Sequence, residues 1–173
     1  VLELPVHPLT RFVIVRPHYP ENVGASARAM KTMGFTRLTL VKPGKMAEPA
    51  HVMAQKMAVK SLDVLNAALL VPDSSTALVD VDHVYATTAR RGVSGILVVR
   101  RAAQDAVQRA LRGERMAWLF GNEKTGLAEC DLALAGARVR IPMVADQPSI
   151  NLAQAVQLVA YELFAAALEA RGG

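Results

Sequence analysis

Two short β-branched runs separated by one helical stretch constrain this chain more than any other feature. Arg11-Phe-Val-Ile-Val-Arg16 is apolar at four consecutive positions and is followed by Pro17 and Pro20, so it reads as a buried strand running into a loop. Val23, Ala27 and Met30 then recur at i, i+4 and i+7; Asn22 is a capping residue type at their head, and Gly34 stands where a left-handed helix terminator belongs. Arg37-Leu-Thr-Leu-Val41 supplies a second strand, closed by Pro43-Gly44. A connection of that length crosses over the sheet, so the two strands are expected to be parallel.

The alternation continues. Residues 48–70 are helical but broken, and Pro72 to Thr76 is a turn cluster. His83-Val-Tyr-Ala86, Met116-Ala-Trp-Leu-Phe120 and Ala137-Arg-Val-Arg-Ile141 read as strands, whereas Ile96 to Val99 is apolar but ambiguous. Ala102 to Leu111 reads as a surface helix with Val107 and Leu111 on its inner face. Leu152, Val156, Val159 and Leu163 mark a long helix over Asn151 to Arg171. Together these predict an α/β fold, a mainly parallel sheet with flanking helices. The length of 173 residues, 52% of them hydrophobic, suits a single domain over 1–173 with one sizeable core.

Several function classes are excluded at this level. The lone Cys130 rules out an intrachain disulfide and is read as structural, and His7, His18, His51 and His83 show no zinc-ligand spacing, so no metal is expected. Val1 to His7 lacks a signal pattern and no run of about 18 uninterrupted apolar residues occurs, which predicts a cytoplasmic protein with no membrane span. The absent initiator Met predicts that flanking sequence has been trimmed. Gly121 and Gly126 have P-loop spacing, but Leu127 and Ala128 replace its Lys and Ser/Thr, and Gly92-Val-Ser-Gly95 is one residue short of a nucleophile elbow. The net charge, 20 − 15 = +5, permits a polyanionic partner without requiring one.

Ligands of parallel α/β sheets bind beyond the carboxyl ends of the strands, which directs attention to the loops after Arg16, Ala86, Phe120 and Ile141. Three ordered stretches stand out: Pro20-Glu-Asn-Val-Gly-Ala-Ser-Ala-Arg-Ala-Met-Lys-Thr-Met-Gly34, Leu119-Phe-Gly-Asn-Glu-Lys-Thr-Gly-Leu127, and Ile141-Pro-Met-Val-Ala-Asp-Gln-Pro-Ser-Ile-Asn-Leu-Ala153. In combination they resemble the motifs of the SpoU/TrmH family of RNA ribose 2'-O-methyltransferases, within the SPOUT superfamily, and most of all its TrmJ-type tRNA enzymes. The resemblance implies a SPOUT-type fold with a C-terminal trefoil knot, S-adenosylmethionine as cofactor, and a homodimer whose acceptor site is completed near the subunit interface. It implies RNA as substrate, tRNA first and the anticodon loop within it. Ribosomal RNA is the alternative substrate, and a noncatalytic knotted RNA-binding protein the alternative class. TrmJ-type enzymes usually carry a C-terminal extension used in tRNA binding; this sequence stops soon after the last helix, at Arg171-Gly-Gly173, and removal of such an extension is an open expectation.

Carried onto this sequence, the resemblance assigns Arg28 to the ribose 2'-hydroxyl, with Asn22, Glu123, Ser149 and Asn151 organising the acceptor site. A guanidinium does not ordinarily give up its proton, so the role that chemistry favours for Arg28 is binding phosphate and stabilising a developing alkoxide. Thr87, Thr88, Ala89, Gly121, Ile141, Ser149, Ile150 and Asn151 are the expected cofactor positions, and Arg28, Lys31 and Arg90 the expected RNA contacts. Plainer readings stand beside these: Asn22 as a helix N-cap, Ser149 and Asn151 as caps of the last helix, Lys31 and Arg90 as solvated cations. Gly24, one turn before Arg28, is expected to leave room for RNA. Asn122 occupies a position where TrmJ-type sequences often have Arg.

Overall fold

The computed structural model describes residues 1–89, 95–145 and 147–172. Its strands are β1 (Thr10–Val15), β2 (Leu38–Val41), β3 (Leu69–Val71), β4 (His83–Thr87), β5 (Ile96–Val98), β6 (Met116–Phe120) and β7 (Ala137–Arg140), in the sheet order β3-β2-β1-β6-β4-β7-β5. Every pairing is parallel, as the β-α-β reading requires. The helices are α1 (Val6–Leu9), α2 (Pro20–Thr32), α3 (Val52–Met57), α4 (Leu62–Asn66), α5 (Ser74–Ala77), α6 (Val99–Leu111), α7 (Glu129–Leu132) and α8 (Leu152–Arg171).

Both faces of the sheet are covered, which is why residues 12–15 of β1 and Met116–Phe120 of β6 are continuous apolar runs rather than alternating ones. Phe12 and Ile14 of β1 point to one face with Leu40, Tyr85, Trp118 and Phe120, under α2, α6 and α8. Val13 and Val15 point to the other, with Val41, Ala86, Ala117 and Leu119, under the short α5 and α7. Ala102, Ala103, Ala106 and Ala110 give α6 a smooth buried side on which α8 lies. By length and composition alone α8 is apolar enough to cross a membrane, but its buried side belongs to this core.

The sheet grows outward from β1 to β2 and β3, and the chain then returns to the far side of β6 to lay down β4. That reversal opens the crevice at the carboxyl ends of β1, β6 and β4, the place where a ligand site is expected in such a sheet.

Several elements differ from the sequence-based expectation. β3, α1, α5 and α7 have three or four residues each, too few for a periodic signature. α6 starts at Val99, and Leu111 is 55% exposed instead of inward. Cys130 is exposed on α7 and holds no core position. Gly34 does terminate α2, with φ +89°, and it also abuts the buried His7, whose Nε2 would lie 2.5 Å from an added Cβ.

Gly24 is corrected more sharply. It is buried, and a Cβ there would sit 2.1 Å from the Ala54 carbonyl oxygen, so the missing side chain admits α3 and leaves no space for RNA. Gly24→Ala gains about 1 kcal/mol of helix propensity, but it forces two backbones apart at a cost that exceeds this gain by about 1–3 kcal/mol. The melting temperature is therefore expected to fall by several degrees, measured by thermal denaturation.

Candidate active site

The Glu123 carboxylate is the hub of the crevice. It lies in the loop after β6, and it accepts the His18 backbone N–H at 2.9 Å, the Tyr19 backbone N–H at 2.8 Å and the Asn22 side-chain amide at 3.0 Å. Tyr19 is the N-cap residue of α2 and offers no side-chain cap, so a carboxylate from another loop occupies the helix N-terminus, where its charge is favoured. The capping role expected of Asn22 is thus overturned: the helix begins two residues earlier, at Pro20, whose fixed φ suits the first turn.

Asn22 instead relays. Its amide donates to Glu123, and its Oδ1 accepts from the Asn151 amide at 3.0 Å. Asn151 caps α8, its Oδ1 accepting the Gln154 N–H at 3.2 Å, as its residue type predicted. One continuous chain of hydrogen bonds therefore joins the three sequence stretches singled out above. Burial would raise the Glu123 pKa, but the donors from Asn22, Tyr19 and His18 outweigh it and hold the carboxyl below its ordinary value of 4.5. A carboxylate so occupied is a positioning group rather than a free base.

The loop that carries Glu123 is itself tied down. Asn122 donates to the Arg16 carbonyl at 2.8 Å and accepts the N–H groups of Lys124 and Thr125 at 2.8 and 3.1 Å, closing a turn on its own side chain. Arg16 has φ +53° at the end of β1, and its guanidinium reaches the buried Asp131 at 3.3 Å. Asp131 also accepts Ser74 Oγ at 2.6 Å and Ala128 N–H at 3.2 Å. Arg16, Ser74 and Asp131 carry no sequence signal as site supports, because they touch only in the folded chain.

Beside this relay, at the ends of β4, β6 and β7, lies a cavity of about 520 Å³, within the usual size range of small-molecule sites. Thr87, Thr88, Ala89, Gly121, Ile141, Ser149 and Ile150 all line it; Asn151 stands next to it in the relay. Phe120, Leu127, Met143 and Leu152 also line it; they lie within the second and third stretches but are not among the expected site positions. At Gly121 an added Cβ would lie 2.3 Å from the backbone of Gly126 and Leu127, so the loop folds back on itself only because this residue is glycine.

The expected RNA contacts are less gathered. Arg28 is exposed on α2 without a hydrogen bond or ion pair among the described residues, about 9 Å along and about 120° around the helix from Asn22. Within one subunit it does not join the Glu123, Asn22 and Asn151 relay. Lys31 is not a free cation: its ammonium donates to Asp63 at 2.8 Å and to the Lys60 carbonyl at 3.1 Å. Arg90 lies outside the described residues. No His, Cys, Asp and Glu cluster able to hold a metal occurs among the described residues.

Residues 10–161 match the sequence model of the SpoU rRNA methylase family. The chain belongs to that family. It is 38% identical over 157 residues to LasT of Escherichia coli, named an uncharacterized tRNA/rRNA methyltransferase, covering 87% of this chain and 66% of that protein. It is 37% identical over 156 residues to TrmJ of Photorhabdus laumondii, a tRNA (cytidine/uridine-2'-O-)-methyltransferase, covering 88% and 63%. The crystal structure of TrmJ from Z. mobilis superposes with a TM-score of 0.81 at 38% identity, over 90% of this chain and 68% of that one. A methylase family protein from Neisseria gonorrhoeae superposes at 0.85 with 34% identity, over 95% and 85%. The chain spans between 61% and 66% of the length of the first curated relatives. All three SpoU-like stretches fall inside the matched residues, and the hydrogen-bond relay is what they build together.

Proposed function

We propose that this chain is a catalytic domain, over residues 1–173, that methylates ribose 2'-hydroxyls of RNA, with tRNA as the substrate class. The observation that carries this reading is the adjacency of a mixed apolar and polar cavity to the Glu123, Asn22 and Asn151 relay. The TrmJ relatives support the tRNA assignment, and the TrmJ-type anticodon loop is the expected site within it.

The cavity residues suit S-adenosylmethionine. Phe120, Leu127, Ile141 and Ile150 offer an apolar slot, Thr87, Thr88 and Ser149 add polar side chains to its lining, and Gly121 lets the loop after β6 fold back to form its wall. When bound, S-adenosylmethionine supplies an electrophilic sulfonium methyl. The relay then fixes the loop after β6 against the starts of α2 and α8, so that the acceptor is held in place rather than activated by a strong base. Arg28 binds phosphate and stabilises negative charge developing on the ribose oxygen.

The finer architecture follows from the same reading. β7 runs between β4 and β5, both laid down earlier, and α8 then returns across α2 and α6, which supports a C-terminal trefoil knot formed by threading after β7. Leu158 and Tyr161, 40% and 52% exposed on α8, support a homodimer in which a second subunit completes the acceptor site and brings Arg28 to it. A tRNA substrate, and relatives that are bacterial tRNA methyltransferases, support a cytoplasmic setting.

Calorimetric titration with S-adenosylmethionine, followed by methyl incorporation into tRNA and, in parallel, ribosomal RNA, tests the proposal. Arg28→Ala is expected to lower methyl incorporation about hundredfold or more with the cofactor affinity retained. Absence of cofactor heat, or full incorporation by the variant, overturns the reading.

A further inference from the structure

The opposite end of the sheet carries a second concavity. Arg11 is the second residue of β1, Arg37 precedes β2 and Arg115 precedes β6, and since β2, β1 and β6 are neighbours in parallel register, three arginines from distant parts of the sequence gather at one end of the sheet. They line a cavity of about 310 Å³ together with Pro8, Thr10 and Asp80. Arg11 is half-buried, and its Nη1 donates to the Ala77 and Val79 carbonyls at 2.6 and 3.1 Å, which fixes the guanidinium in the wall. The guanidiniums of Arg37 and Arg115 have no hydrogen bond or ion pair among the described residues. Among the described residues Asp80 is the one carboxylate lining the cavity; Asp82, two residues on, accepts the Arg115 backbone N–H at 2.8 Å.

We propose that this concavity binds a phosphate group, either free phosphate or the phosphodiester of a nucleic-acid strand. Three arginines line one cavity, Arg37 and Arg115 with whole guanidinium forks to offer a phosphate and Arg11 with the N–H groups its carbonyl bonds leave, and one aspartate leaves the lining with an excess of positive charge. The unliganded arrangement is electrostatically unfavourable in itself: burial, Arg37 and Arg115 all hold the Arg11 guanidinium below its ordinary value, and only Asp80 opposes them. An anion relieves that repulsion, which gives binding a driving force that separate surface arginines lack. The site lies at the sheet end remote from the methyl-transfer cavity and does not depend on the reading of that cavity.

The test is a titration of the full ¹⁵N-labelled chain with sodium phosphate, against sodium chloride at matched ionic strength, reading the arginine Nε–H signals and the amides of Arg37 and Arg115. Phosphate is expected to cause saturable shifts at these positions, and the R37Q/R115Q double variant to weaken binding about tenfold or more. Both side chains are exposed and make no hydrogen bond or ion pair among the described residues, so an unchanged melting temperature is expected; R37K/R115K, which keeps the charge and loses the fork, gives intermediate binding. A titration with an oligoribonucleotide lacking terminal phosphate separates the sources. Saturation below the phosphate midpoint supports the site as a strand-backbone contact, and a response to phosphate alone supports it as a free-phosphate site. Shifts that match those in chloride, or that survive R37Q/R115Q unchanged, overturn the proposal.

Discussion

Glu123→Gln is expected to lower methyl transfer about hundredfold, although the substitution changes one atom and almost no volume. Oε1 of Glu123 accepts from His18, and Oε2 accepts from both Tyr19 and Asn22. An amide has one oxygen, so whichever way it turns, its NH₂ is set against a donor. Asn22 cannot absorb the conflict by rotating, because its own NH₂ would then face the Asn151 amide. The relay runs in one direction, and neutralising its anionic end unsettles the starts of both α2 and α8. In a partly exposed site the stability cost is about 1–2 kcal/mol, so the folded protein survives and the activity loss is measurable by methyl incorporation.

The same carboxylate sets an acid limit. Its folded pKa lies below the ordinary 4.5, so its contribution to stability is fully present above that value and is lost as pH falls through the lower folded value. Unfolding followed on acidification below about pH 4.5 is expected to show a steeper loss for the wild-type protein than for Glu123→Gln, which has no carboxyl to protonate. Parallel curves for the two proteins contradict the assignment of Glu123 as the hub.

Gly121→Ala is expected to damage the cavity proposed for the cofactor. The added carbon falls 2.3 Å from two backbone atoms of the returning loop, the Gly126 carbonyl carbon and the Leu127 nitrogen, and neither belongs to a flexible side chain. The loop has to open, which displaces Asn122 from the Arg16 carbonyl and alters the lining from Phe120 to Leu127. A stability loss of about 1–3 kcal/mol is expected, with affinity for S-adenosylmethionine reduced about tenfold or more. Denaturant unfolding and calorimetry read the two effects separately; an unaltered affinity contradicts the placement of the cofactor in this cavity.

Much of this architecture is legible in the amino-acid sequence. β1, β6 and α8 show there because each is a run or a repeat long enough to carry its own period, and the strand-end loops stand out because chemistry in a parallel sheet concentrates in them. β3, α1, α5 and α7 are hidden by their shortness. Gly24 and Asn22 mislead for a different reason: the residue types suggest room for RNA and a helix cap, and in both cases a distant segment supplies the actual partner, the Ala54 carbonyl for the glycine and the Glu123 carboxylate for the asparagine.

From its sequence alone, then, this protein is determined to be a parallel α/β layer with three chemistry-bearing loops in a definite order, since strand and helix periods and turn residues are properties of short windows. Which group bonds to which was decided only by the tertiary structure. Parallel pairing brings residues some hundred positions apart, such as Asn22 and Glu123, within 3.0 Å, and no local pattern encodes the direction in which such a pair donates.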